Sequence, residues 1–297
     1  MRLTVAFPNV GAPQDKVALR DYAQALEGLG VDTLHVVDHV VYAWPSADGT
    51  PRSQYRADLW HLEVFVTLGF LAAVTERVGL ETGVVVLPQR QPLVVAKQAA
   101  SVDALSGGRL RLGIGVGWQA PEYEALGVPF KQRGSRMVEA IEVLKKAWTQ
   151  ERISHKGRYY RIDDVGMEPK PVQKPHPPLI IGATSPVALE RAGRLANGYV
   201  AGPGTPIARF EASMRSVREA ARAAGREHEV TIFEGSMFPQ SPDPSDNLEA
   251  LRQHKAAGAT DMLYWMGTAR EPSLRPLEGK LKYVERLVRE VWPEMRG

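Results

Sequence analysis

An α/β chain closing as a (β/α)8 barrel, a TIM barrel, is the fold class this sequence predicts, on three observations. Short apolar runs alternate with longer amphipathic segments along nearly all of the 297 residues. Eight such pairs can be traced, which suits a closed parallel barrel. Several of the apolar runs end in glycines and small polar residues, at the strand ends where a barrel carries its active site. A doubly wound open sheet, one strand different in count, is the alternative. The chain reads as one domain over 1–297, with insertions at the C-terminal face of the barrel.

The first strand is Leu3 to Phe7. Asp15 to Leu29 follows as a helix, with Val17, Leu19, Tyr22, Leu26 and Leu29 on or near one face and Gly30 where a C-terminal cap belongs. Thr33 to Val37 is the second strand, Leu59 to Thr75 a helix, and β-rich Val78 to Leu87 the third strand. Pro92 to Leu105 is helical, with proline near its start and Gly107-Gly108 past its end. Leu110 to Val116 is the fourth strand, and Ser135 to Thr149 a long helix. A hairpin over Ile153 to Ile162, turning at Lys156-Gly157, and a proline-rich connector from Glu168 to Pro178 come next. The remaining pairs are Leu179 to Ile181 with Pro186 to Leu195, Gly198 to Ala201 with residues 207–224, Val230 to Phe238 with Leu248 to Ala257, and Met262 to Met266 with Leu277 to Trp292.

Composition removes several function classes. There are no cysteines, so disulfides, thiolate metal sites and a cysteine nucleophile are excluded, in keeping with a cytoplasmic protein. The apolar run around Val64 to Val74 is too short to span a bilayer, and the N-terminus lacks the apolar stretch of a signal peptide. Net charge is +3 with scattered arginines and no basic stripe interleaved with aromatics, so neither a membrane nor nucleic acid is the expected partner. The seven histidines show no metal-ligand spacing, and no metal is expected. No nucleophile elbow or P-loop appears, and Glu234 shows no partner carboxylate for a glycosidase pair.

The strand ends hold what chemistry there is. Asp38-His39 follows the second strand, and a histidine beside a carboxylate is a candidate acid/base or ligand-binding pair. Gly83 lies inside the third strand, where glycine marks a bulge or a close backbone approach. Arg90, past that strand, suits an anion or a carboxylate partner. Glycines at 113, 115 and 117, before Trp118, leave one side of the fourth strand without side chains, so a flat ring or a phosphate can approach. A Rossmann fingerprint is excluded, because Trp118 stands where its last glycine belongs. Gly182-Ala183-Thr184-Ser185 before Pro186 forms a phosphate cradle at a helix N-terminus, or a plain N-cap; Gly202-Pro203-Gly204-Thr205 is similarly small. Tyr264 and Met266 read as barrel filling, while Tyr264 to Gly267 closes the eighth strand. With no protein nucleophile and glycine-lined strand ends, the pattern fits a barrel in which a cofactor carries the reaction.

Leu87-Pro88-Gln89-Arg90-Gln91-Pro92, Ala96-Lys97-Gln98, Asp103 to Arg109 and Leu112 to Trp118 together resemble the bacterial luciferase-like flavin and deazaflavin oxidoreductases, the luciferase-like monooxygenase superfamily. The likeness continues through Arg133, Arg136 and Glu139 and from Ile181 to Gly198, weakening after about residue 205. Asp38-His39 with Trp44 resembles the subgroup that uses coenzyme F420. The resemblance implies a TIM barrel and an F420-dependent oxidoreductase that passes a hydride between the coenzyme and a small organic substrate. It places His39 and Asp38 as catalytic residues by the ring, with Asp38 also on the coenzyme. It implies a bulged third strand with a non-prolyl cis peptide at Gly83–Val84 backing the ring, near Gly115, Gly117 and Trp118. It puts the phosphate on Gly182, Ala183, Thr184 and Ser185. Trp118 replaces the glutamate of the sugar-phosphate dehydrogenases, which points to a more apolar substrate enclosed by Trp44, Trp118 and Trp265. An FMN-dependent luciferase-like monooxygenase is the alternative, and a cofactor-binding barrel without turnover the second. A homodimer is the oligomer the family implies.

Overall fold

In the computed structural model, which describes residues 1–11, 15–266 and 276–296, eight parallel strand positions close on themselves. The strands are β1 (Arg2–Ala6), β2 (Thr33–Val36), β3 (Gly79–Thr82) continued by β4 (Val85–Val86), β5 (Leu110–Gly115), β8 (Leu179–Gly182), β9 (Gly198–Val200), β10 (Ile232–Met237) and β11 (Asp261–Tyr264). Strand β3 pairs with β5, and β1 with β11, so the sheet has no open edge and the doubly wound alternative is excluded. The outer helices are α1 (Lys16–Gly28), α2 (Val64–Val74), α3 (Pro92–Leu105), α5 (Arg133–Thr149), α6 (Pro186–Leu195), α7 (Ile207–Ala223), α8 (Leu248–Ala257) and α9 (Leu277–Arg286). Their apolar faces and the outward strand residues form the main core, which includes Leu26, Leu68, Leu112, Leu144, Phe210 and Trp292.

Several boundaries differ from the sequence expectation. The helix expected from Leu59 starts at Val64, because Glu63 caps it through Val66 N–H at 2.8 Å, and His61 instead bridges to Val10. The expected strand Val78 to Leu87 is broken at Gly83–Val84, whose peptide is cis, and a 3₁₀ turn over Leu87–Gln89 ends it. The final helix is interrupted by a π-helical turn, Leu287–Val291, before α10 (Trp292–Arg296). A six-residue helix, α4 (Ala120–Ala125), was not expected; Pro121 falls in its first turn, where proline is tolerated. The hairpin, β6 (Ile153–Lys156) with β7 (Arg161–Val165), lies in the connection from α5 to β8. Glu139 of α5 ties it down by accepting from the N–H groups of Tyr159 and Tyr160. The long segments at the C-terminal face of the barrel are residues 37–63 and 116–132.

Branched aliphatic side chains are the usual filling of such a barrel, and this interior is charged instead. His35, Glu81 and Arg111 stand side by side in register on β2, β3 and β5, and Glu234 and Asp261 do so on β10 and β11. Arg111 contacts Glu81, lies 3.0 Å from Asp261 and 3.6 Å from Glu234, and His35 Nδ1 is 2.6 Å from Glu81. All five are buried. Burial raises the Glu234 carboxyl to about 8, with Glu81 adding to the rise and Arg111 opposing it. Burial lowers His35 to about 4, against the pull of Glu234. Glu234 therefore has neighbouring carboxyls that its sequence context did not reveal. Their complete burial keeps them from any sugar, so the glycosidase reading stays excluded. His35, Glu81 and Glu234 bring ligand-type atoms within 4.8 Å of one another, but the Arg111 guanidinium supplies the positive charge there.

Candidate active site

The site is built where β2, β3–β4, β5 and β8 end. Adjacent residues of an extended segment point to opposite sides, and Asp38 and His39 do so after β2. The Asp38 carboxylate turns inward, accepting from Arg90 Nη2 at 2.7 Å and from Val86 N–H at 3.0 Å. Arg90 also holds Glu63 at 3.1 Å, so the carboxylate partner foreseen for it is present twice. Asp38 thus anchors the backbone just past Gly83–Val84. Asp38 and His39 read as a pair in the sequence, but the side-chain hydrogen bonds of His39 are to other residues.

His39 faces the mouth, its side chain 11% exposed. Its Nδ1 is 3.0 Å from Glu122 Oε2 and 2.9 Å from Gln119 Nε2, both from the segment forming α4. Glu122 Oε1 also accepts from Val40 N–H at 2.7 Å. Burial works to raise the Glu122 carboxyl, but the bond to His39 and the Val40 N–H outweigh it and hold it below the ordinary carboxylate range. Glu122 and Gln119 were missed in the sequence because a proline-started, six-residue helix carries no usable apolar period. The available signal was Glu122 itself, an acidic residue four positions past Trp118 at a barrel strand end.

Aromatic rings surround His39. Tyr42, Tyr55 and Trp118 have centroids at 5.4, 5.7 and 5.8 Å from its ring, and His61 at 6.3 Å. His61 Nε2 donates to the Val37 carbonyl at 3.2 Å, so its Nδ1 accepts the Tyr42 hydroxyl proton at 2.6 Å. Burial lowers the His61 pKa, which keeps this ring neutral. The three tryptophans expected to enclose substrate part company here. Trp118 joins the His39 cluster and is 45% exposed, and Trp44 is 66% exposed. Trp265 packs edge-on against buried His35, at 5.2 Å between centroids, and donates to Ser236 Oγ at 3.1 Å. Tyr264 and Met266 are buried as filling, and Gly267 lies outside the described residues.

The glycines of β5 make room for protein before they make room for a ligand. A Cβ on Gly113 would sit 2.0 Å from the Thr82 carbonyl oxygen, and one on Gly115 would sit 2.6 Å from Val84 Cγ2. The Val84 side chain also lies 3.2 Å from where a Cβ on Gly182 would be. Gly117, at φ +63°, faces Val86 in the same way. Beneath, the His35 ring fills the space a Gly83 side chain would need. Gly83 and Val84 are themselves only partly buried. The Gly83–Val84 bulge therefore covers the face of β5 that its glycines leave without side chains.

Gly182 leads from this bulge into the loop before α6. Ala183 is buried, Thr184 and Ser185 are exposed, and Ser185 is the N-cap residue of α6 without a capping bond from its side chain. Gly202 and Thr205 lie alongside: a Cβ on Gly202 would be 3.6 Å from Thr184 Cγ2 and 3.8 Å from Thr205 Oγ1. Arg209 of α7 donates to the Thr184 carbonyl at 3.1 Å and brings a positive charge to the loop. A free cap hydroxyl, a helix N-terminus and an arginine fit a phosphate. Small residues on one side and a bulged strand on the other fit a flat ring attached to it.

A family model described as luciferase-like monooxygenase matches residues 1–285. An F420-dependent glucose-6-phosphate dehydrogenase from Kineococcus radiotolerans is 32% identical over 240 residues, 79% of this chain and 67% of that one. An FMNH2-dependent dimethylsulfone monooxygenase from Pseudomonas putida is 34% identical over 181 residues, 60% of this chain and 48% of that one. Among solved structures, the coenzyme F420-dependent tetrahydromethanopterin reductase from Methanopyrus kandleri superposes with a TM-score of 0.78, covering 99% of each chain at 17% identity. Among the described residues, no helix is long and apolar enough to cross a membrane.

Proposed function

The chain belongs to the luciferase-like monooxygenase family, and from that membership we propose that it is an F420-dependent oxidoreductase acting on a small, partly apolar organic substrate. The observation that carries the proposal is one continuous surface. The exposed Thr184–Ser185 cradle joins through Gly182 to the Gly83–Val84 bulge, and Asp38 anchors the bulge beside the loop that presents His39. Relatives of this chain use F420 or FMN, and both share a ring joined to a phosphate. FMN with a monooxygenase reaction is the second reading, favoured by the Pseudomonas putida relative.

When bound, the deazaflavin supplies the hydride chemistry. The backbone of 182–185, with Arg209 close by, binds the phosphate by dipole and charge. The Gly83–Val84 backbone supports one face of the ring, and Arg90–Asp38 fixes that backbone. His39 accepts or returns a proton at Nε2 on the substrate side. Tyr55 and Trp118 give the substrate an apolar wall and limit water. Asp38 acts through the bulge and is a positioning residue in this account.

Thr184→Asp tests the cradle. The side chain is exposed, so the variant should fold as the parent does. A carboxylate placed against the phosphate should weaken F420 binding about tenfold or more, equivalent to ~1.4 kcal/mol or above. Unchanged affinity, measured by fluorescence titration, would place the phosphate elsewhere.

A further inference from the structure

Two side chains from one short segment converge on a single nitrogen. Glu122 Oε2 lies 3.0 Å from His39 Nδ1, and Gln119 Nε2 lies 2.9 Å from it. Glu122 is acceptor-only when ionised, so its bond needs a proton on Nδ1. The Gln119 amide nitrogen is donor-only, so its bond needs Nδ1 bare. In this orientation the Gln119 oxygen accepts from Ser53 Oγ at 2.6 Å, and Ser53 Oγ accepts from Tyr55 N–H at 3.1 Å, so the amide presents its nitrogen to His39 and favours the tautomer opposite to the one Glu122 favours. Turning the amide over, which Ser53 Oγ accommodates by accepting from its nitrogen, leaves both contacts favouring a proton on Nδ1.

We infer that Glu122 is a positioning residue that holds His39 in its reactive tautomer. This rests on the proton-transfer role proposed above for His39. With Glu122 engaged, Nδ1 carries the proton and Nε2 presents a lone pair. Uptake of one proton from the substrate at Nε2 then gives the imidazolium, and its charge faces the Glu122 carboxylate. In the opposite tautomer Nε2 carries the single proton and has no lone pair to accept another. That state donates a hydrogen bond and is idle as a base.

The charge around the pair supports the assignment. Glu122 is buried, with its side chain 1% exposed, and is anchored on its other oxygen by Val40 N–H, so it cannot swing away to water. The other titratable groups near His39 are Tyr42, Tyr55, His61 and, through the loop, Asp38. Asp38 is committed to Arg90 and Val86, and His61 to Tyr42 and Val37. Glu122 is the carboxylate that meets the imidazole directly.

Histidine ¹⁵N NMR of the cofactor-free protein at about pH 8.5, above the ordinary histidine range, reads the tautomer directly. The parent should show His39 with the proton on Nδ1. Glu122→Gln keeps the side chain's shape and its bond from Val40 but offers His39 an amide, so the proton should move to Nε2. Gln119→Leu should leave it on Nδ1. In turnover, Glu122→Gln should lower kcat about 100-fold or more, by analogy with amide replacement of a triad carboxylate, with KM and cofactor affinity within about threefold. A parent protein with the proton on Nε2 would overturn the inference, as would an unchanged tautomer in Glu122→Gln. Should Glu122→Gln not fold, the parent and Gln119→Leu spectra decide. The NMR readout needs no cofactor, so it stands or falls separately from the F420 assignment.

Discussion

His39→Ala should lower kcat about 100-fold or more, the scale of a positioned acid/base group. Cofactor affinity should fall far less, by no more than a few-fold. The two effects separate because the two tasks are carried by different parts of the surface. The loop at 182–185, proposed to hold the phosphate, and the Gly83–Val84 bulge are formed by backbone, and the hydrogen bonds of the His39 side chain run to Glu122 and Gln119 instead. The bulge is fixed from below by the His35 ring and from the side by Asp38. Removing the His39 ring leaves both supports in place. His39→Asn sharpens the test, because it keeps a hydrogen-bonding group and loses the capacity to take up a proton near neutral pH. Near-parental turnover in the Asn variant would reject proton transfer and reduce His39 to a shaping role. Both variants leave Glu122 buried without its imidazole, so thermal stability should be recorded beside activity.

Stability should fall as pH rises from about 6.5 to about 8, above the range where His35 offsets the effect, and Glu234→Gln should remove much of that slope. The folded chain raises the Glu234 carboxyl from its ordinary 4.5 to about 8. The folded state then holds a proton that the unfolded state has already released across that window. A group raised in this way contributes stability that is complete below its unfolded pKa and is lost as pH passes through its folded one. The loss approaches ~1.4 kcal/mol per pH unit for one proton, enough to exceed any surface effect. The groups facing Glu234 are Glu81, Arg111, His35 and Asp261. His35 acts in the opposite sense at the acid side: its folded pKa is lowered from 6.5 to about 4, so its contribution is lost as pH falls through that range. Denaturant unfolding at several pH values should give a steeper alkaline decline in the parent than in Glu234→Gln. Parallel declines would mean that Arg111 keeps Glu234 ionised throughout.

The strands and the strand ends were largely legible, because they rest on local signals. Short apolar runs alternating with amphipathic segments located all eight barrel positions, and Gly83 inside a β-rich run announced the break between β3 and β4. Pairings between distant side chains were not legible. His39 sits next to Asp38 in sequence, yet its carboxylate comes from Glu122, 83 residues on, because neighbours in an extended segment face opposite ways. The β5 glycines suggested an open face, but only the fold shows that Thr82 and Val84 fill the space beside Gly113 and Gly115. The charged interior was hidden for a similar reason. His35, Glu81, Arg111, Glu234 and Asp261 are scattered over more than 200 residues, and closure of the barrel alone brings them into register. Trp44, Trp118 and Trp265 looked alike as strand-end aromatics, and they occupy three different surroundings.

The central claim is that the barrel mouth binds a deazaflavin across the Gly83–Val84 bulge and the Thr184–Ser185 cradle. Equilibrium titration of the purified protein with F420 and with FMN, followed by tryptophan fluorescence and cofactor absorbance, tests it most directly. Trp118 stands partly exposed beside His39, and Trp44 is exposed on the segment that follows β2, so binding should be visible in the signal. The account predicts saturable binding of F420 at one site per chain, about tenfold or more tighter than FMN, a difference of ~1.4 kcal/mol or above. Tighter binding of FMN would contradict the F420 assignment, and saturable binding of neither would contradict the site itself.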